Sequence, residues 1–361
     1  MNQPAIAFIS LWFPKPSETF VFREIMRFKE MGLPMIHFAL YGPLRKNLSP
    51  EMEAFSPEVE RMGILHLRRF ILPLMRCFFR WPKKTLKLFL TMPLTKWGNW
   101  ERTLENLWAF HCGFHLALRC VEEGIVHIHS PWASGPCTTA QVASTLTGIP
   151  FSFAARAGDI YPPEKALTLK ARAASFIRVN YAGNQTYLRG YATDDPDKVK
   201  LVYNSLTLTA HEQAPAAMQP PYRFTAMGRF VRTKGFDVLL DACAMLRDQD
   251  LAFSLDLVGD GHLKGRLMKK AKELGLMDHV RFPGYLSHEK ITGILQQTDI
   301  SITPSVVAPT GGRDGIPNVI MEAMSYGLPV VATDVAGIKE VVHDLETGLL
   351  IPERDPEALA K

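Results

Sequence analysis

Short apolar runs alternate with helix-like segments along the chain, and this alternation limits the possible folds more than any other feature. Patterns with helical spacing, such as FDVLLDACAMLRD and HLKGRLMKKAKELG, lie between many of the runs. Strands that alternate with helices form parallel sheets covered by helices on both faces. The sequence therefore predicts an α/β protein. The expected strands are AIAFISLWF, MIHFALYG, GIVHIHS, PFSFAAR, FIRVNYAG and KLVYNS in the first half, and FTAMGRF, FSLDLVGD, VRFPGY, ISITPS, PVVATD and GLLIP in the second.

A segment rich in Pro and Ala separates the two sets of runs. The stretch SLTLTAHEQAPAAMQPPYRF contains a Pro-Pro pair and shows no helical or strand period over most of its length, as expected of a linker. We predict a Rossmann-like domain over residues 1–206, a linker over 207–222 and a second Rossmann-like domain over 223–361. Ligands of open α/β sheets bind at the carboxyl ends of the strands, so a cleft faced by both domains is the expected site.

The composition favours a globular protein of the cytoplasm. Hydrophobic residues make up 47% of the chain and charged residues 21%, which is enough for well-formed cores. The five cysteines include no CxxC pair, so a disulfide framework or zinc cluster is not expected. The start MNQPAIAFISLWF lacks the basic residues and cleavage site of a signal peptide. The closing stretch DPEALAK begins a helix and ends at once, so we expect a truncated C-terminus.

Positive charge is concentrated in residues 61–100. This stretch contains nine Lys and Arg residues and no Asp or Glu, although the whole chain nets only +5. The cations are interleaved with bulky apolar and aromatic residues, a pattern typical of a surface that lies on anionic lipid. Nucleic acid is not an expected partner, since no recognition module accompanies the cations. We expect peripheral contact with the inner face of the plasma membrane; a solvated variable insertion is a nearly equal alternative.

Two carboxylates flank a helix start in the second half, within GGRDGIPNVIMEAMSYGLPVVATDVAG. Asp314 and Glu322 stand eight positions apart, and Pro317 suits the first turn of a helix that ends before Gly327. Backbone N–H groups at such a helix start suit phosphate or sugar oxygens. Carboxylates accept hydrogen bonds from hydroxyl groups. An isolated D-x7-E pair, however, is more often an acidic loop and helix without a ligand.

The longer pattern resembles the retaining glycosyltransferases of the GT-B fold, family 4, whose E-x7-E motif is followed by E-A-M-A-x-G-x-P-V-V-A-T. This chain contains DGIPNVIMEAMSYGLPVVAT, then AGIKEVVHD and TGLLIP. The resemblance implies that Asp314 contacts donor-sugar hydroxyls and that Glu322 binds the ribose. Asp314 stands where the family usually has Glu, so its side chain is one methylene shorter. The resemblance also implies that the connecting backbone holds the sugar and diphosphate, through Gly315, Ile316, Pro317, Asn318 and Val319.

A basic pair precedes the next helix in AMGRFVRTKGFDVLLDA. Taken alone, Arg229 and Lys234 would be two solvated charges. The stretch resembles the family's G-R-x-x-x-x-K-G motif, which implies that both side chains grip the donor diphosphate and stabilise the leaving group. Gly259 begins a G-D-G turn that resembles the family's turn near the nucleotide. Gly265 falls one residue late for a GxGxxG fingerprint, so a nicotinamide enzyme is disfavoured and no cofactor is expected.

Two segments of the first half resemble the family more loosely. In FPKPSETFVFREI, the residues Ser17, Glu18 and Thr19 are expected near the acceptor or a phosphate, and Ser17 can also cap a helix. In FAARAGDIY, Asp159 matches the family's Asp near the reacting centre, while Arg156 stands at the family's His. Arginine is permanently charged and cannot act as a general base. It can bind the diphosphate or an anionic group of the donor or acceptor.

We predict no metal site. His127 and His129 lie on one face of an expected strand, but no third ligand is evident. The Asp248-Gln249-Asp250 stretch spells the DxD metal motif of a different transferase fold, but it closes a helix, where a solvated turn is commoner. In GT-B enzymes, Arg and Lys replace the metal.

The resemblance implies a metal-independent hexosyltransferase that retains anomeric configuration. The donor would be a nucleotide diphosphate sugar, and the acceptor a glycan or polyprenyl-linked glycan of a cell-envelope polysaccharide. No carboxylate is an obvious nucleophile, so front-face attack guided by the leaving phosphate is expected. Two alternatives stay open: a sugar isomerase or hydrolase of the same fold, and a non-catalytic scaffold that binds nucleotide sugars.

Overall fold

The computed structural model describes residues 4–44, 48–63, 68–92, 100–161, 165–204, 206, 218–286 and 288–361. The chain divides into two compact units, Met1–Ser205 and Leu206–Lys361. Most of the predicted linker, residues 207–217, lies outside the described residues. The assignment of acceptor binding to the first unit and donor binding to the second remains a prediction.

The first unit is a parallel sheet with helices on both faces. Its sheet order is β3-β2-β1-β4-β5-β6-β7, and every described strand pair is parallel. The strands are β1 Ala5–Ser10, β2 Met35–Ala39, β3 Glu60–Arg61, β4 Ile125–Ser130, β5 Phe151–Ala155, β6 Phe176–Val179 and β7 Val199–Leu201. The helices are α1 Thr19–Glu30, α2 Pro50–Phe55, α3 Arg68–Arg80, α4 Pro82–Thr91, α5 Trp100–Glu122, α6 Gly135–Thr147, α7 Lys165–Ala173 and α8 Ala182–Arg189.

Side-chain alternation along β1 divides the first unit into two cores. Ala7 and Ile9 belong to a large cluster that α5 and α6 cover, whereas Phe8 belongs to a smaller cluster with Phe22 and Phe55 from α1 and α2. Successive side chains of a strand point to opposite faces, so one six-residue strand supplies both cores. The near-continuous apolar character of β1 follows from this two-sided burial.

The second unit repeats the architecture with fewer elements. Its strands are all parallel in the order β10-β9-β8-β11-β12-β13. The strands are β8 Tyr222–Met227, β9 Phe253–Val258, β10 Val280–Gly284, β11 Ile300–Thr303, β12 Val330–Thr333 and β13 Leu349–Ile351. The helices are α9 Phe236–Asp248, α10 Lys264–Glu273, α11 His288–Leu295, α12 Asn318–Ser325 and α13 Pro356–Ala360.

The second unit also has one core on each face of its sheet. Leu255 and Leu257 of β9 pack with residues of α9 and α10, while Val258 packs on the other face with residues of α11 and α12. The α/β class predicted from the alternation is therefore confirmed in both units. Among the described helices, none combines the length and apolar character needed to cross a membrane.

The structure corrects the predicted elements in two places. The run FIRVNYAG does not continue as a strand to its end, because β6 stops at Val179 and α8 begins at Ala182. The two-residue strand β3 was not expected from the sequence, since Glu60 and Arg61 are charged and lie at the edge of the sheet. An edge strand has one free side and needs little apolar character.

Candidate functional site

The order of the strands in the second sheet marks where a ligand would bind. The chain runs outward from β8 to β10 and then returns to place β11 on the other side of β8. At such a switch point the loops beyond the carboxyl ends of the two central strands separate and leave a crevice. The loop after β8 carries Arg229 and Lys234, and the loop after β11 carries Ser305 and leads to Asp314. The predicted donor residues therefore lie at this edge of the sheet.

The lysine of this loop is held by close backbone packing. Lys234 ends a short 3-10 turn, and Gly235 follows it in the left-handed region with φ of +62°. A Cβ atom on Gly235 would lie 1.8 Å from the carbonyl oxygen of Pro304, so only glycine fits here. The N–H of Val306 donates to the carbonyl of Thr233 at 2.9 Å. These contacts fix the Lys234 turn against the loop after β11.

Lys234 and Asp314 form the central ion pair of the site. Lys234 Nζ lies 3.0 Å from Asp314 Oδ2, and the hydroxyl of Ser305 donates to the same oxygen at 3.0 Å. The two charged side chains are 15% and 20% exposed, so the pair is accessible yet largely screened from bulk water. Sequence analysis missed Ser305. Ser305 could have been predicted from its position just beyond the carboxyl end of β11, because ligands of open α/β sheets bind at the carboxyl ends of the strands.

The predicted G-D-G turn packs directly on the loop that carries Arg229. Gly259 has φ of +141°, and a Cβ atom there would lie 1.9 Å from the carbonyl oxygen of Gly228. The N–H of Phe230 donates to the carbonyl of Asp260 at 2.8 Å. Gly259 is thus required for backbone packing, and its contact with a donor remains a prediction. The side chain of Arg229 is exposed on the same loop.

The start of α12 follows Asp314 after a short bend. Pro317 occupies the N-cap position, one residue before the first turn in which the sequence placed it, and no side chain caps this end. Ile316 and Pro317 are buried and anchor the bend, while the half-buried Glu322 lies on the fifth residue of the helix. Within the described residues, the contacts of the Lys234–Asp314 pair involve neither Arg229 nor Glu322.

In the first unit, Arg156 follows β5 and is almost completely buried. Its guanidinium donates to Asn204 Oδ1 at 2.9 Å and to Glu24 Oε2 at 3.3 Å. The ring of Phe20 lies 4.3 Å from its Cζ, and the ring of Trp132 lies 5.5 Å away. Cations over aromatic faces are stabilised by the ring quadrupole. Every side of this arginine is therefore occupied by the protein itself.

A second arginine shares the same carboxylate. Arg178 Nη1 lies 2.8 Å from Glu24 Oε2, and its other guanidinium nitrogens donate to the carbonyls of Val202 and Tyr203. The pKa of Arg156 is lowered to about 10, mainly by burial; the charge of Glu24 opposes this shift, and the positive charge of Arg178 adds to it. Arg156 nevertheless remains protonated at neutral pH. The two arginines fasten the segment before the predicted linker to the ends of β5 and β6.

Asp159 binds backbone rather than another side chain. Its Oδ2 accepts the N–H of Ala133 at 2.7 Å, and its Oδ1 accepts the N–H of Arg156 at 2.9 Å. Burial raises the pKa of Asp159, and these hydrogen bonds oppose the shift. The buried ammonium of Lys170 donates to the carbonyl of Ala133 at 2.8 Å. These contacts hold the loops after β4 and β5, and a catalytic role of Asp159 remains a prediction.

The predicted acceptor segment adopts a tighter turn than the sequence indicated. Ser17 lies in the middle of a 3-10 turn that starts at Pro16, and α1 begins at Thr19 with Glu18 at its N-cap. The predicted capping by Ser17 is therefore wrong, because the proline starts the turn one residue too early. Glu18 pairs with Lys15 at 2.6 Å and accepts the indole N–H of Trp132 at 3.1 Å.

The two strand histidines share one hydroxyl group. His127 Nε2 and His129 Nδ1 lie 2.7 and 2.8 Å from the Oγ of Ser152. Burial lowers the pKa of His129 to about 3, and burial also lowers the pKa of His127. Both rings are therefore neutral at pH 7, and both contact Ser152 on one face of the sheet. In the part of the chain that the structure describes, no three His, Cys, Asp or Glu side chains are grouped to hold a metal ion.

The second unit, in which Lys234 and Asp314 meet at the switch point of a parallel sheet, is similar in sequence to sugar-transferring enzymes. Residues 209–361 match the family described as glycosyl transferases group 1. The matched residues make up nearly all of the second unit, Leu206–Lys361. The fold is the GT-B fold: the structure of Anabaena HepE in complex with UDP superposes with a TM-score of 0.67 over 99% of this chain and 88% of that one, at 18% identity.

Sequence relatives carry names from polysaccharide biosynthesis. The amylovoran biosynthesis glycosyltransferase AmsK of Erwinia amylovora is 36% identical over 144 residues, which are 40% of this chain and 35% of that protein. The putative colanic acid biosynthesis glycosyltransferase WcaL of Escherichia coli K12 is 36% identical over 149 residues, 41% of this chain and 36% of that protein. The matched part of the chain thus spans about a third of the length of these relatives.

Proposed function

We propose that the chain transfers a hexosyl group from a nucleotide diphosphate sugar to a growing cell-envelope glycan, with retention at the anomeric carbon. The observation that carries this proposal is the Lys234–Asp314 pair, with Ser305 behind it, at the switch point of the second sheet. Such a pair offers a cation to a diphosphate and a carboxylate to sugar hydroxyls. The family of the second unit and the names of its relatives support the same reaction class.

Lys234 and Arg229 would stabilise the leaving diphosphate. Negative charge grows on the leaving oxygen as the glycosidic bond breaks, and a fixed cation in a partly desolvated site stabilises that charge. Lys234 is already positioned by the turn that Gly235 closes. The diphosphate would compete with Asp314 for the ammonium group. Asp314 would then be released toward hydroxyl groups of the sugar, with Ser305 still donating to it.

The remaining proposed donor contacts come from residues 315–319, Glu322 and Gly259. The backbone of residues 315–319 would hold the sugar and diphosphate at the start of α12, where no side chain caps the helix. Glu322 would accept from the ribose hydroxyls, and Gly259 would lie beside the nucleotide. We propose transfer without a metal or cofactor, because the cations of this site replace the metal. Turnover should then survive incubation with EDTA.

Retention would follow from attack on the face that the diphosphate leaves. Asp314 is the carboxylate next to Lys234, and its oxygen already receives two polar hydrogens. A carboxylate bound in this way is better suited to hold hydroxyls than to attack the anomeric carbon. The leaving phosphate itself would accept the proton of the acceptor hydroxyl. NMR coupling constants of the isolated glycoside test this step, and an inverted product would exclude it.

The acceptor would be a glycan or a polyprenyl-linked glycan near the first unit, where Ser17, Glu18 and Thr19 follow the carboxyl end of β1. Arg156 and Asp159 would shape this region through the loops after β4 and β5 rather than exchange protons. The names of AmsK and WcaL support an acceptor from polysaccharide biosynthesis. We place the enzyme in the cytoplasm at the inner face of the plasma membrane, where lipid-linked acceptors are presented.

Nucleotide binding is the direct test. Titration with UDP and with GDP should raise the melting temperature with at least one of them, since a ligand that binds only the folded state stabilises it. Lys234→Met should abolish the shift, and Lys269→Met on the exposed side of α10 should retain it. No shift with either nucleotide would contradict the proposal and favour a protein without a donor site.

Two other functions predict different results in a donor screen with membrane extract. An isomerase or hydrolase would consume the donor sugar without any acceptor present. A non-catalytic scaffold would bind the nucleotide but leave donor and extract unchanged. A transferase requires both the donor and the extract, and labelled sugar then appears in the glycan fraction.

A further inference from the structure

Helices α3 and α4 each bury one narrow face against the first unit. Among the described side chains of α3, which begin at position 71, Pro73 and Cys77 are buried, and in α4 Thr85 and Leu88 are buried. Cys77 packs in the large core of the unit, and its thiol donates to the carbonyl of Phe114 in α5. Leu74 of α3 is half-buried against the same core, and the other described side chains of both helices are exposed.

The exposed part of each helix presents a continuous apolar face. In α3 the apolar residues recur at i, i+1, i+4, i+7 and i+8, which is the spacing of a single helix face. Phe79 is 79% exposed and Leu90 of α4 is 60% exposed, far more than core side chains of this size. Together these side chains form the surface we call the α3–α4 face: Ile71, Leu72, Met75, Phe78 and Phe79 in α3, and Leu86, Phe89 and Leu90 in α4.

Cations lie beside this face. At 3.6 residues per turn, Arg76 and Arg80 fall between the apolar and buried faces of α3. Lys83 and Lys87 fall in the same position on α4. Residues 61–99 contain no carboxylate that could neutralise them locally. Lys84 is different, because its ammonium donates to the carbonyl of Leu146 at 2.9 Å.

We propose that the α3–α4 face docks on a bilayer of anionic phospholipid. The apolar side chains would enter the boundary between headgroups and acyl chains, and the flanking cations would meet lipid phosphates. Neither helix is long or apolar enough to cross the bilayer, so each would lie in the plane of the interface. The inference goes beyond the proposed glycosyl transfer, because lipid binding requires neither donor nor acceptor.

The positive charge beside the α3–α4 face favours anionic lipid over a second copy of the chain as its binding partner. A symmetric contact between two copies would bring equal cations together around the apolar face, and like charges disfavour such an interface. An anionic bilayer supplies the opposite charge over the whole face. Arg61 does not contribute to it, since its guanidinium donates to the carbonyls of Phe13 and Ser56. Residues 64–67 and 93–99, which include Lys96, lie outside the described residues.

Vesicle sedimentation with the full chain tests the proposal. The wild-type protein should pellet with phosphatidylglycerol–phosphatidylcholine vesicles and stay in solution with pure phosphatidylcholine. Lys83→Gln with Lys87→Gln should weaken binding about 25-fold, since each cation near an anionic surface contributes roughly a fivefold factor. Lys269→Gln with Lys272→Gln, the same change on α10, should leave binding unaltered. Equal binding to both vesicle types, or equal loss in both double variants, would overturn the proposal.

A fluorescent label locates the contact. All five cysteines are buried, so a cysteine introduced at an exposed position is the accessible thiol. An environment-sensitive dye on Phe79→Cys should shift to the blue when phosphatidylglycerol vesicles are added, whereas the dye on Leu345→Cys should not. A shift at Leu345→Cys alone would place the lipid elsewhere.

Light scattering tests the other possible occupant of the α3–α4 face, a second copy of the chain. A wild-type dimer that becomes a monomer in Phe79→Ser, without any vesicle binding in either, would replace the lipid by a second copy. A soluble monomer that ignores both vesicle types would also reject the proposal.

Discussion

Each unit pairs an acidic side chain with basic ones near the carboxyl ends of its strands, but the two units use these charges differently. In the first unit, Glu24 binds both Arg156 and Arg178, and these arginines have further partners in Phe20 and Asn204. In the second unit the ion pair of the site is simpler. Lys234 meets Asp314, and one hydroxyl group supports the acid.

The difference separates charge that stabilises the fold from charge that can bind a ligand. A buried arginine with its hydrogen bonds and aromatic contacts occupied has little left to offer an anion. The ammonium group of Lys234 has three donor hydrogens and pairs with one carboxylate, so it keeps donors for a ligand. We therefore assign the first cluster to the stability of its unit and propose the second as the ligand-binding pair. Four substitutions test this division, taken from the largest expected effect to the smallest.

Glu24→Gln should destabilise the first unit most. It leaves the buried guanidinium group of Arg156 and the partly buried one of Arg178 without their carboxylate, and breaking a buried pair costs about 3–5 kcal/mol. All six tryptophans lie between positions 12 and 132, so tryptophan fluorescence during urea unfolding reports on this unit alone. The control Glu30→Gln breaks an exposed pair with Arg27 and should cost less than about 1 kcal/mol. A Glu24→Gln protein as stable as the control would show that the cluster is not structural.

Lys234→Met should instead impair the reaction. Loss of one preorganised group that stabilises transition-state charge lowers turnover about 100- to 1,000-fold. The measurement is kcat/KM with the donor identified by the nucleotide titration. Lys269→Met is the matched control, and the melting temperature should stay near the wild-type value in both. A large loss of stability with unchanged kinetics would assign Lys234 to the fold and remove the contrast with Arg156.

His37→Met should reduce the loss of stability that the first unit suffers as the pH falls below 6.5. Burial lowers the pKa of His37 from its ordinary 6.5 to about 4; Glu58 opposes this shift, and Lys29 adds a smaller lowering. Between these values the unfolded chain binds a proton that the folded chain does not. The free energy of unfolding therefore falls as the pH drops from 6.5 toward 4.

By pH 4.5 the free energy of unfolding of the variant should therefore have fallen by about 2 kcal/mol less than that of the wild type. At pH 7 the stability should change by less than about 1.5 kcal/mol, since Met fills a similar volume. Moreover, His37 Nδ1 has no partner among the described residues, so no buried hydrogen bond is lost. The pH series uses the same fluorescence assay, with His111→Met as the control. An unchanged acid slope would mean that His37 is protonated in the folded unit.

Ser305→Ala should have the smallest effect. It removes one hydrogen bond to Asp314, which is worth about 1 kcal/mol and lowers kcat/KM roughly fivefold. Thr303→Val is the control, because the buried hydroxyl of Thr303, the last residue of β11, has no partner among the described residues. Equal activity of the two variants would show that Asp314 does not depend on Ser305.

Much of the fold was predictable because it rests on local patterns. Alternation of apolar runs predicted both parallel sheets, and the segments that resemble the family placed Lys234 before one helix and Asp314 before another. The errors were local too. Pro16 starts a turn that displaces the cap from Ser17, and the edge strand at Glu60 has no apolar pattern to detect. The roles of Arg156 and Asp159 were less predictable, since a residue's type does not reveal its partners.

The sequence by itself determined the alternation of strands and helices, the positions of the strand-end loops and the residues that those loops carry. These follow from periodicity and turn chemistry, which act over a few neighbouring residues. Only the tertiary structure decided which charges are already paired. Glu24 and Arg156 are 132 positions apart in the chain, and Ser305 and Asp314 are nine positions apart, yet each pair is in contact. Such pairing depends on burial and on distances through space, and neither is contained in the order of residues along the chain.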